Sequence, residues 1–328
     1  MTTPPVSPSD TEGVSAPHFG DAPQHVLVTG GTGFVGRHLV AALLADGHTV
    51  TVWTRDAAAA ARRFDATVRC VRQLDEIPVT SMVDVVINLA GARIVGPRWT
   101  AARQAALLES RAGLTDDLVA WIARRPMKPW LLLSGSAVGY YGVQAQGDAS
   151  ELTESSPPQS IFMSRLCQAW EASACSAAAY GVRVACMRFG LVLGPGGALP
   201  GLLLPVKLGV GGRLGTGRQW VSWIHLHDLL GAMGHVWRHA EAPGAPVAPQ
   251  AWNFTAPEAL RQEDFMHTAA RVLHRPFWLP VPGAPVRLAL GEQADVLLEG
   301  QRVAPEHLTD TGFRFRFPDA RSALQDLC

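Results

Sequence analysis

Three evenly spaced glycines are the residues of this chain best suited to hold a ligand. The segment Thr29–Gly36 reads TGGTGFVG, follows the short apolar run Val26–Val28 and precedes a stretch with helical spacing. Between a strand and a helix, such glycines allow a tight turn and a close approach of the backbone to a phosphate, which the helix start then faces. The pattern predicts a dinucleotide site formed by Gly30, Thr32, Gly33, Phe34, Val35 and Gly36.

The end of the next strand bears on which dinucleotide would bind. Residues 49–54 have the β-branched composition of a strand, and Arg55 and Asp56 follow them. At this point of such a fold a carboxylate accepts the 2′-hydroxyl of NAD, whereas an arginine suits the 2′-phosphate of NADP. Arg55 stands nearer to the strand, so we predict that Thr54 and Arg55 meet the adenosine ribose. NADP(H) is favoured over NAD(H).

A third group of small residues ends the strand predicted at Val83–Leu89. The sequence there is Asn88-Leu89-Ala90-Gly91, and small side chains would let a cofactor cross the sheet edge. We predict cofactor contacts from Leu89, Ala90 and Gly91. Close packing of a helix on the strand would explain Gly91 equally well.

The elements that must position these residues alternate between strand and helix. Apolar strands near residues 26, 50, 85, 131 and 185 are separated by amphipathic helical stretches, which predicts an α/β fold with a doubly wound parallel sheet, a Rossmann domain, over 25–190. Glycine and proline are dense from 190 to 217. We predict a disordered tail over 1–24 and a smaller C-terminal substrate lobe over 191–328, with the substrate in the cleft between the two units.

Composition excludes several classes of protein. Apolar residues make up 48% of the chain and charged residues 17%, which argues against a disordered chain. Lys+Arg and Asp+Glu are both 28, so no basic excess indicates a nucleic-acid partner. The uncharged stretch 189–206 contains three prolines and would not span a membrane as one helix. The five scattered cysteines predict free thiols in a reducing, cytoplasmic compartment and no metal site.

Several segments together resemble the extended short-chain dehydrogenase/reductases. More narrowly, the chain resembles the YfcH-like "epimerase family" branch from His25 to about Leu327, with that branch's C-terminal extension over 279–328. The resemblance rests on Thr29–Gly36, Asn88–Gly91, Ser134–Gly142, Gly215–Gln219, Trp223–His225 and Asn253–Pro257. It implies a dinucleotide cofactor and a small, nucleotide-linked substrate.

The resemblance also implies a Ser, a Tyr and a Lys in the active site, the last two spaced Y-x-x-x-K. This sequence has no such pair, because its three tyrosines are followed four residues later by Gln144, Ala145 and Val184. With Glu171 as the register mark, the two positions hold Met163 and Cys167. Ser136 matches the family serine, although a strand-end serine would also fit.

Other residues are candidates for catalysis and binding. Tyr140 or Tyr141 could replace the missing proton donor or simply fill space, and His225 is either a base or a core histidine. Arg111 could reach cofactor phosphate or substrate, or form an ion pair on a helix surface, and Val192 would line the nicotinamide side. The segment that resembles the nucleotide-sugar phosphate site of related epimerases offers Arg218, Gln219 and Trp223, with the lobe core as the alternative for the indole.

Two functions follow from these residues. One is an NADP-dependent oxidoreductase or nucleotide-sugar epimerase that works without the Y-x-x-x-K dyad. The other is a catalytically inactive NADP(H)-binding sensor or partner-binding module. Neither requires nucleic acid or a membrane, and the sequence leaves the oligomeric state open.

Overall fold

The computed structural model describes residues 17–64 and 66–328. Most of the tail predicted over 1–24 lies outside the described residues. Across the described ranges, none of the helices combines the length and the apolar composition needed to cross a bilayer.

Seven strands form one parallel sheet, in the order β10-β6-β5-β4-β1-β2-β3. The strand order reverses between β1 and β4, which is where a crevice opens at the carboxyl ends of the strands. The seven strands of this sheet are β1 (His25–Thr29), β2 (Thr49–Trp53), β3 (Arg69–Val71), β4 (Val85–Asn88), β5 (Leu131–Ala137), β6 (Arg183–Phe189) and β10 (Gln250–Phe254). Four shorter strands of the described residues lie outside it: β7 (Leu191–Leu193), β8 (Trp220–Val221), β9 (Trp223–His225) and β11 (Leu260–Arg261).

Helices cover both faces of the sheet and build the smaller lobe. They are α1 (Phe34–Ala45), α2 (Ala57–Ala61), α3 (Ala101–Leu108), α4 (Leu114–Arg124), α5 (Phe162–Cys175), α6 (Leu199–Lys207), α7 (Leu226–Glu241), α8 (Gln262–Val272), α9 (Gly283–Leu290), α10 (Asp295–Leu298), α11 (Glu306–Asp310) and α12 (Ala320–Leu327). A π-helical turn over Glu109–Gly113 joins α3 to α4. Short 3₁₀ turns cover Leu74–Glu76, Val138–Tyr141, Ser176–Tyr180 and Gly291–Ala294.

The two faces of the sheet have separate apolar cores, which explains the uninterrupted apolar strands. Alternate strand residues such as Val28 and Ile87 pack with α1 and α7, whereas Leu27 and Val86 pack with α4 and the end of α5. Because both faces are covered, almost every strand side chain is buried. The predicted α/β fold with a doubly wound parallel sheet is confirmed.

The division predicted at residue 190 differs from the observed path of the chain. Strand β10 returns to the parallel sheet beside β6, and α7 packs on its face, so both belong with the dinucleotide-binding unit. The smaller lobe has its own core, in which α6, α8 and α12 surround Trp223. Helix α6 lies in the glycine- and proline-rich stretch 190–217. Its Pro200 stands in the first turn, where a missing N–H costs no helical hydrogen bond.

Phe19 and Gly20 are buried against the rest of the protein, whereas the sequence predicts a disordered tail over 1–24. Phe19 is completely buried, and its ring meets the edge of Trp237 and of His48. Its backbone N–H donates to the Asp46 carboxylate just after α1. The sequence signal was missed because one aromatic residue in a polar stretch shows no period.

We predict that Phe19→Ala lowers the free energy of unfolding by about 3 kcal/mol, because truncating a buried aromatic side chain leaves a cavity. Urea denaturation followed by circular dichroism measures the change. Asp21→Ala is the matched control, since Asp21 is an exposed neighbour and its truncation should alter stability by less than about 0.5 kcal/mol. Equal stability of Phe19→Ala and the wild type would contradict this packing.

Candidate functional site

The glycine loop between β1 and α1 is closed on one side and open on the other. Gly30 has a φ of +68°, and a Cβ there would lie 2.7 Å from the Leu89 carbonyl. A Cβ on Gly36 would lie 2.2 Å from the carbonyl oxygen of Gly30. Gly33 is exposed, and a Cβ on it would meet only that same oxygen, at 3.1 Å. The loop backbone is therefore accessible at Gly33.

Helix α1 begins without a side-chain cap. Its N-cap residue is Gly33, no side chain accepts from the first N–H groups, and the first turn holds no acidic residue. The positive end of the helix dipole is therefore available to bind an anion. A loop after β7 covers the ring of Phe34, since a Cβ on Gly194 or Gly197 would lie 2.7 Å from it.

Hydrogen bonds join the end of β4 to the end of β1, just before the glycine loop. Thr29 Oγ1 donates to Asn88 Oδ1 at 2.6 Å and accepts from the N–H groups of Leu89 and Ala90, each at 3.1 Å. Asn88 Nδ2 donates in turn to Thr115 Oγ1 on α4 at 2.8 Å. These buried hydrogen bonds hold the segment Leu89–Gly91 at the topological switch point of the sheet.

An arginine and a carboxylate follow the end of β2, and both are exposed. Asp56 Oδ1 caps α2 by accepting from the N–H of Ala59 at 2.8 Å. The N–H of Thr54 donates to Val71 on the edge strand. Arg63 Nη1 lies 3.5 Å from the carbonyl oxygen of Thr32. Sequence analysis missed Arg63, which lies two residues after the alanine run that forms α2.

Arg111 is a buried cation without an anionic partner in the described part of the chain. It lies in the π-helical turn, and its Nη2 donates to the Ala92 carbonyl at 2.9 Å. Burial lowers the pKa of its guanidinium to about 10. The group lies 5.3 Å from the Trp170 ring, and a Cβ on Gly91 would lie 3.0 Å from its Cζ. The alternative of a helix-surface ion pair is wrong.

Ser136 joins a buried ion pair between α5 and β6. Its Oγ donates to Glu171 Oε1 at 2.7 Å. Arg188 binds the same carboxylate in a bidentate manner, with Nε to Oε1 and Nη2 to Oε2 both at 2.8 Å. Charge-assisted bidentate pairs fix geometry strongly. The ion pair therefore orients the serine at the end of β5.

The two adjacent tyrosines have different surroundings. Tyr141 is 2% exposed, donates to Asn253 Oδ1 at 2.6 Å and accepts from Arg188 Nη1 at 2.9 Å. Burial raises the pKa of Tyr141 to about 12, so it keeps its proton and serves to position Arg188. Tyr140 is partly exposed, and its ring stacks on the Arg188 guanidinium at 3.5 Å. Between the two, only Tyr140 remains a candidate proton donor.

Met163 and Cys167 both face the loop after β5. A Cβ on Gly139 would lie 2.9 Å from Met163 Cε and 3.8 Å from Cys167 Sγ. Burial raises the pKa of the Cys167 thiol to about 12, so it remains uncharged. This surface of α5 offers neither a phenol nor an ammonium group beside Ser136.

His225 has a structural role, which corrects its interpretation as a base. Its Nδ1 accepts from the N–H of His227 and caps α7 at 3.1 Å. Its Nε2 lies 3.3 Å from Asp326 of α12, and its ring packs on Phe317 with centroids 4.0 Å apart. Burial lowers the pKa of the ring. None of these contacts belongs to the Ser136 network.

The predicted substrate residues are also redistributed. Trp223 is completely buried in the lobe core, and Gln219 Nε2 donates to the Leu214 carbonyl at 3.0 Å. Both are structural, which corrects their assignment as substrate contacts. Val192 in β7 is half-buried opposite Ile224 of β9. Arg218 is the one member of the predicted substrate set that is exposed.

Trp220 is a half-buried indole of the lobe that lies among three arginines. The Arg261 guanidinium stacks on its ring at 3.5 Å and donates from Nη1 to the Arg218 carbonyl at 2.6 Å. Arg302 lies 5.3 Å from the same ring and pairs with Glu151. The pKa of Arg261 is lowered by burial and by its two like-charged neighbours. This group, the Trp220 arginine cluster, carries an excess of positive charge.

The C-terminal extension joins the cleft through the segment 300–304. The N–H of Leu152 donates to the Arg302 carbonyl, and the N–H of Ala304 returns to Leu152, at 2.8 and 2.9 Å. Ser222 Oγ donates to the Gln301 carbonyl at 2.7 Å.

In the part of the chain that the structure describes, no three His, Cys, Asp or Glu side chains are grouped as a metal ion would require.

Comparison with known proteins agrees with this architecture. Residues 26–253 match the model of the NAD dependent epimerase/dehydratase family, and residues 281–327 match a domain of unknown function, DUF1731. The chain belongs to the NAD dependent epimerase/dehydratase family. An epimerase family protein of Staphylococcus saprophyticus is 39% identical over 305 residues, covering 93% of this chain and 99% of the relative.

Two solved structures resemble this one over most of its length. Human epimerase family protein SDR39U1 (isoform 2), solved with NADPH, has a TM-score of 0.79 and 33% identity over 92% of this chain and 98% of that chain. A nucleoside-diphosphate sugar epimerase from Corynebacterium glutamicum has a TM-score of 0.67 and 28% identity over 92% of this chain and 57% of that chain. The predicted resemblance to the epimerase family branch is confirmed.

We predict that Arg188→Met lowers the free energy of unfolding by about 3 to 5 kcal/mol, because it leaves the Glu171 carboxylate buried without its cation. Arg287→Met is the matched control, since that arginine pairs with Asp295 and Glu299 at an exposed site and its loss should cost less than about 1 kcal/mol. Chemical denaturation compares the two. Similar losses for both variants would show that the buried network has no special weight.

Proposed function

We propose that this chain binds NADP(H) at the β1–α1 loop and transfers hydride to or from a small anionic substrate, as an oxidoreductase or epimerase. The accessible backbone at Gly33, together with the uncapped start of α1, carries this proposal. A pyrophosphate on this loop would accept from the first N–H groups of the helix. The nicotinamide would supply the hydride chemistry once bound, and the chain's residues supply binding, orientation and the proton.

The polar groups near β2 favour the 2′-phosphate over a free ribose hydroxyl. Arg55 and Asp56 are both exposed, but Asp56 Oδ1 already accepts from the N–H of Ala59, and Arg63 lies beside the loop. Two guanidinium groups suit a phosphate dianion. The human relative was solved with NADPH, which supports the same preference.

Arg111 is proposed to contact the bound cofactor or the anionic end of the substrate. An unpaired buried guanidinium is costly unless a ligand neutralises it. It lies against Gly91 at the end of β4, on the same side of the sheet as α4 and α5. Its positive charge also neighbours Cys167, where a lysine would otherwise be expected.

Ser136 and Tyr140 are proposed to act on the reacting oxygen. Ser136 is oriented by Glu171, and the ring of Tyr140 stacks on the Arg188 guanidinium. Within the described residues the hydroxyl of Tyr140 makes no hydrogen bond, unlike that of Tyr141. Tyr140 is therefore the proposed proton donor.

The substrate is proposed to carry a phosphate or carboxylate beside a planar ring. The Trp220 arginine cluster offers stacking and excess positive charge. A nucleotide-linked compound has both features. The name of the Corynebacterium glutamicum relative, a nucleoside-diphosphate sugar epimerase, agrees with this class.

A second function is favoured by one observation. Met163 and Cys167 give α5 an uncharged surface where acid–base residues are expected, which would suit a sensor or partner-binding module that holds NADP(H) without turnover. Absorbance of NADPH against a panel of anionic carbonyl compounds separates the two functions. Tight binding without any turnover would favour the sensor, and absence of binding would contradict both.

We predict that Arg55→Ala raises the Kd for NADPH about tenfold or more and leaves the Kd for NADH within about twofold, because only the 2′-phosphate loses its charge partner. Titration of nicotinamide fluorescence measures both constants. Arg62→Ala, a nearby exposed arginine, is the matched control and should change neither. Equal weakening of both cofactors would place Arg55 away from the ribose.

We also predict that Tyr140→Phe lowers kcat about 100-fold or more with little change in NADPH affinity, because general acid catalysis contributes at least that much. Tyr180→Phe is the control, since Tyr180 is an exposed tyrosine in the 3₁₀ turn that follows α5. Steady-state kinetics with an active carbonyl substrate provide the readout. Full activity of Tyr140→Phe would exclude this tyrosine as the proton donor.

A further inference from the structure

Two cysteines meet at the end of α5, beside the buried ion pair. Cys175 is the last residue of the helix, Cys186 lies in the middle of β6, and their Sγ atoms are 3.9 Å apart. Both are free thiols. The atoms are in van der Waals contact, and a disulfide bond would shorten their separation to about 2.05 Å.

The two thiols differ in access and in rigidity. Cys186 is 2% exposed and its backbone is held between Ser134 of β5 and Ala251 of β10. Cys175 is partly exposed at a helix end. A hydrogen bond from Cys186 lowers the pKa of the Cys175 thiol. Cys175 is thus the thiol that an oxidant would meet first, and Cys186 is the neighbour that would resolve the product.

We propose that Cys175 and Cys186 form a reversible intramolecular disulfide when a low-molecular-weight disulfide oxidises the protein. The Cys175 thiolate attacks one sulfur of glutathione disulfide, forming a mixed disulfide and releasing one glutathione thiolate. The Cys186 sulfur then attacks Cys175 and releases the second glutathione. Two electrons pass to glutathione disulfide, and the two thiol protons end on the two glutathione molecules.

The bond would lie next to the residues that orient Ser136. Glu171 precedes Cys175 by one helical turn on the same face of α5, and Arg188 follows Cys186 by two residues on the same face of β6. The ion pair and the thiol pair are thus successive contacts of one helix–strand interface. The disulfide would tie the last turn of α5 to β6 at this place.

The other three cysteines have no such partner among the described residues. Cys167 is buried and its pKa is raised to about 12 by burial. Cys70 lies on the edge strand β3, where burial also raises its pKa. Cys328 is exposed at the C-terminus. They provide internal controls for the specificity of the reaction.

Peptide mapping of the full chain tests the proposal. The protein is equilibrated with reduced and oxidised glutathione, remaining thiols are alkylated, and trypsin releases peptides 166–183 and 184–188. We expect these two peptides to be linked after oxidation and to separate again after reduction. Before alkylation, the oxidised whole protein should be about 2 Da lighter than the reduced protein, because two hydrogens are lost. Fragmentation of the linked pair should assign the bond to Cys175 rather than Cys167.

Two variants complete the experiment. Cys175→Ser should abolish the link, whereas Cys167→Ser, which removes the other cysteine of the same peptide, should retain it. Oxidation should raise the Tm of the wild type, because the disulfide bond restricts its unfolded chain. The Tm of Cys175→Ser should not rise, since that variant lacks one of the two thiols. Free Cys175 and Cys186 in the oxidised wild type, or glutathione adducts alone, would overturn the proposal without affecting the proposed cofactor site.

Discussion

The cleft of this protein depends on the buried guanidinium of Arg188. It bridges the Glu171 carboxylate of α5, the hydroxyl of Tyr141 and the carbonyl of Glu154, and it carries the ring of Tyr140 on its face. A charge removed from water is tolerated only when its partners satisfy it completely. Helix, strand and loop therefore have to meet at this point, and Ser136 is oriented as a consequence.

Arg111 shows the opposite condition, because its guanidinium is buried among carbonyl groups and aromatic carbon with no carboxylate in the described residues. The two arginines differ in whether a carboxylate partner lies beside the guanidinium. Arg188 completes the structure before any ligand arrives, whereas Arg111 retains an unused positive charge.

The C-terminal extension takes part in the cleft rather than standing beside it. Its segment 300–304 pairs with the loop around Leu152, receives Asn253 of β10 through the Ala304 carbonyl and brings Arg302 to Trp220. Gln293 reaches the carbonyl oxygens of Ile94 and Pro97 in the loop after β4. The extension thereby contacts the loop after β4 as well as the loop around Leu152.

The sequence by itself determined the Rossmann fold, the glycine loop and the absence of a Y-x-x-x-K pair, because spacing, turn residues and apolar runs are local properties. It also placed Ser136 and Arg111 near the cleft. Only the tertiary structure decided that Trp223, Gln219 and His225 are structural and that Trp220, Arg261 and Arg302 form one cluster. Burial, and pairing between segments that are far apart in the chain, leave no local pattern in the sequence. The type of a side chain therefore could not reveal whether it would pack in a core, cap a helix or be exposed to solvent.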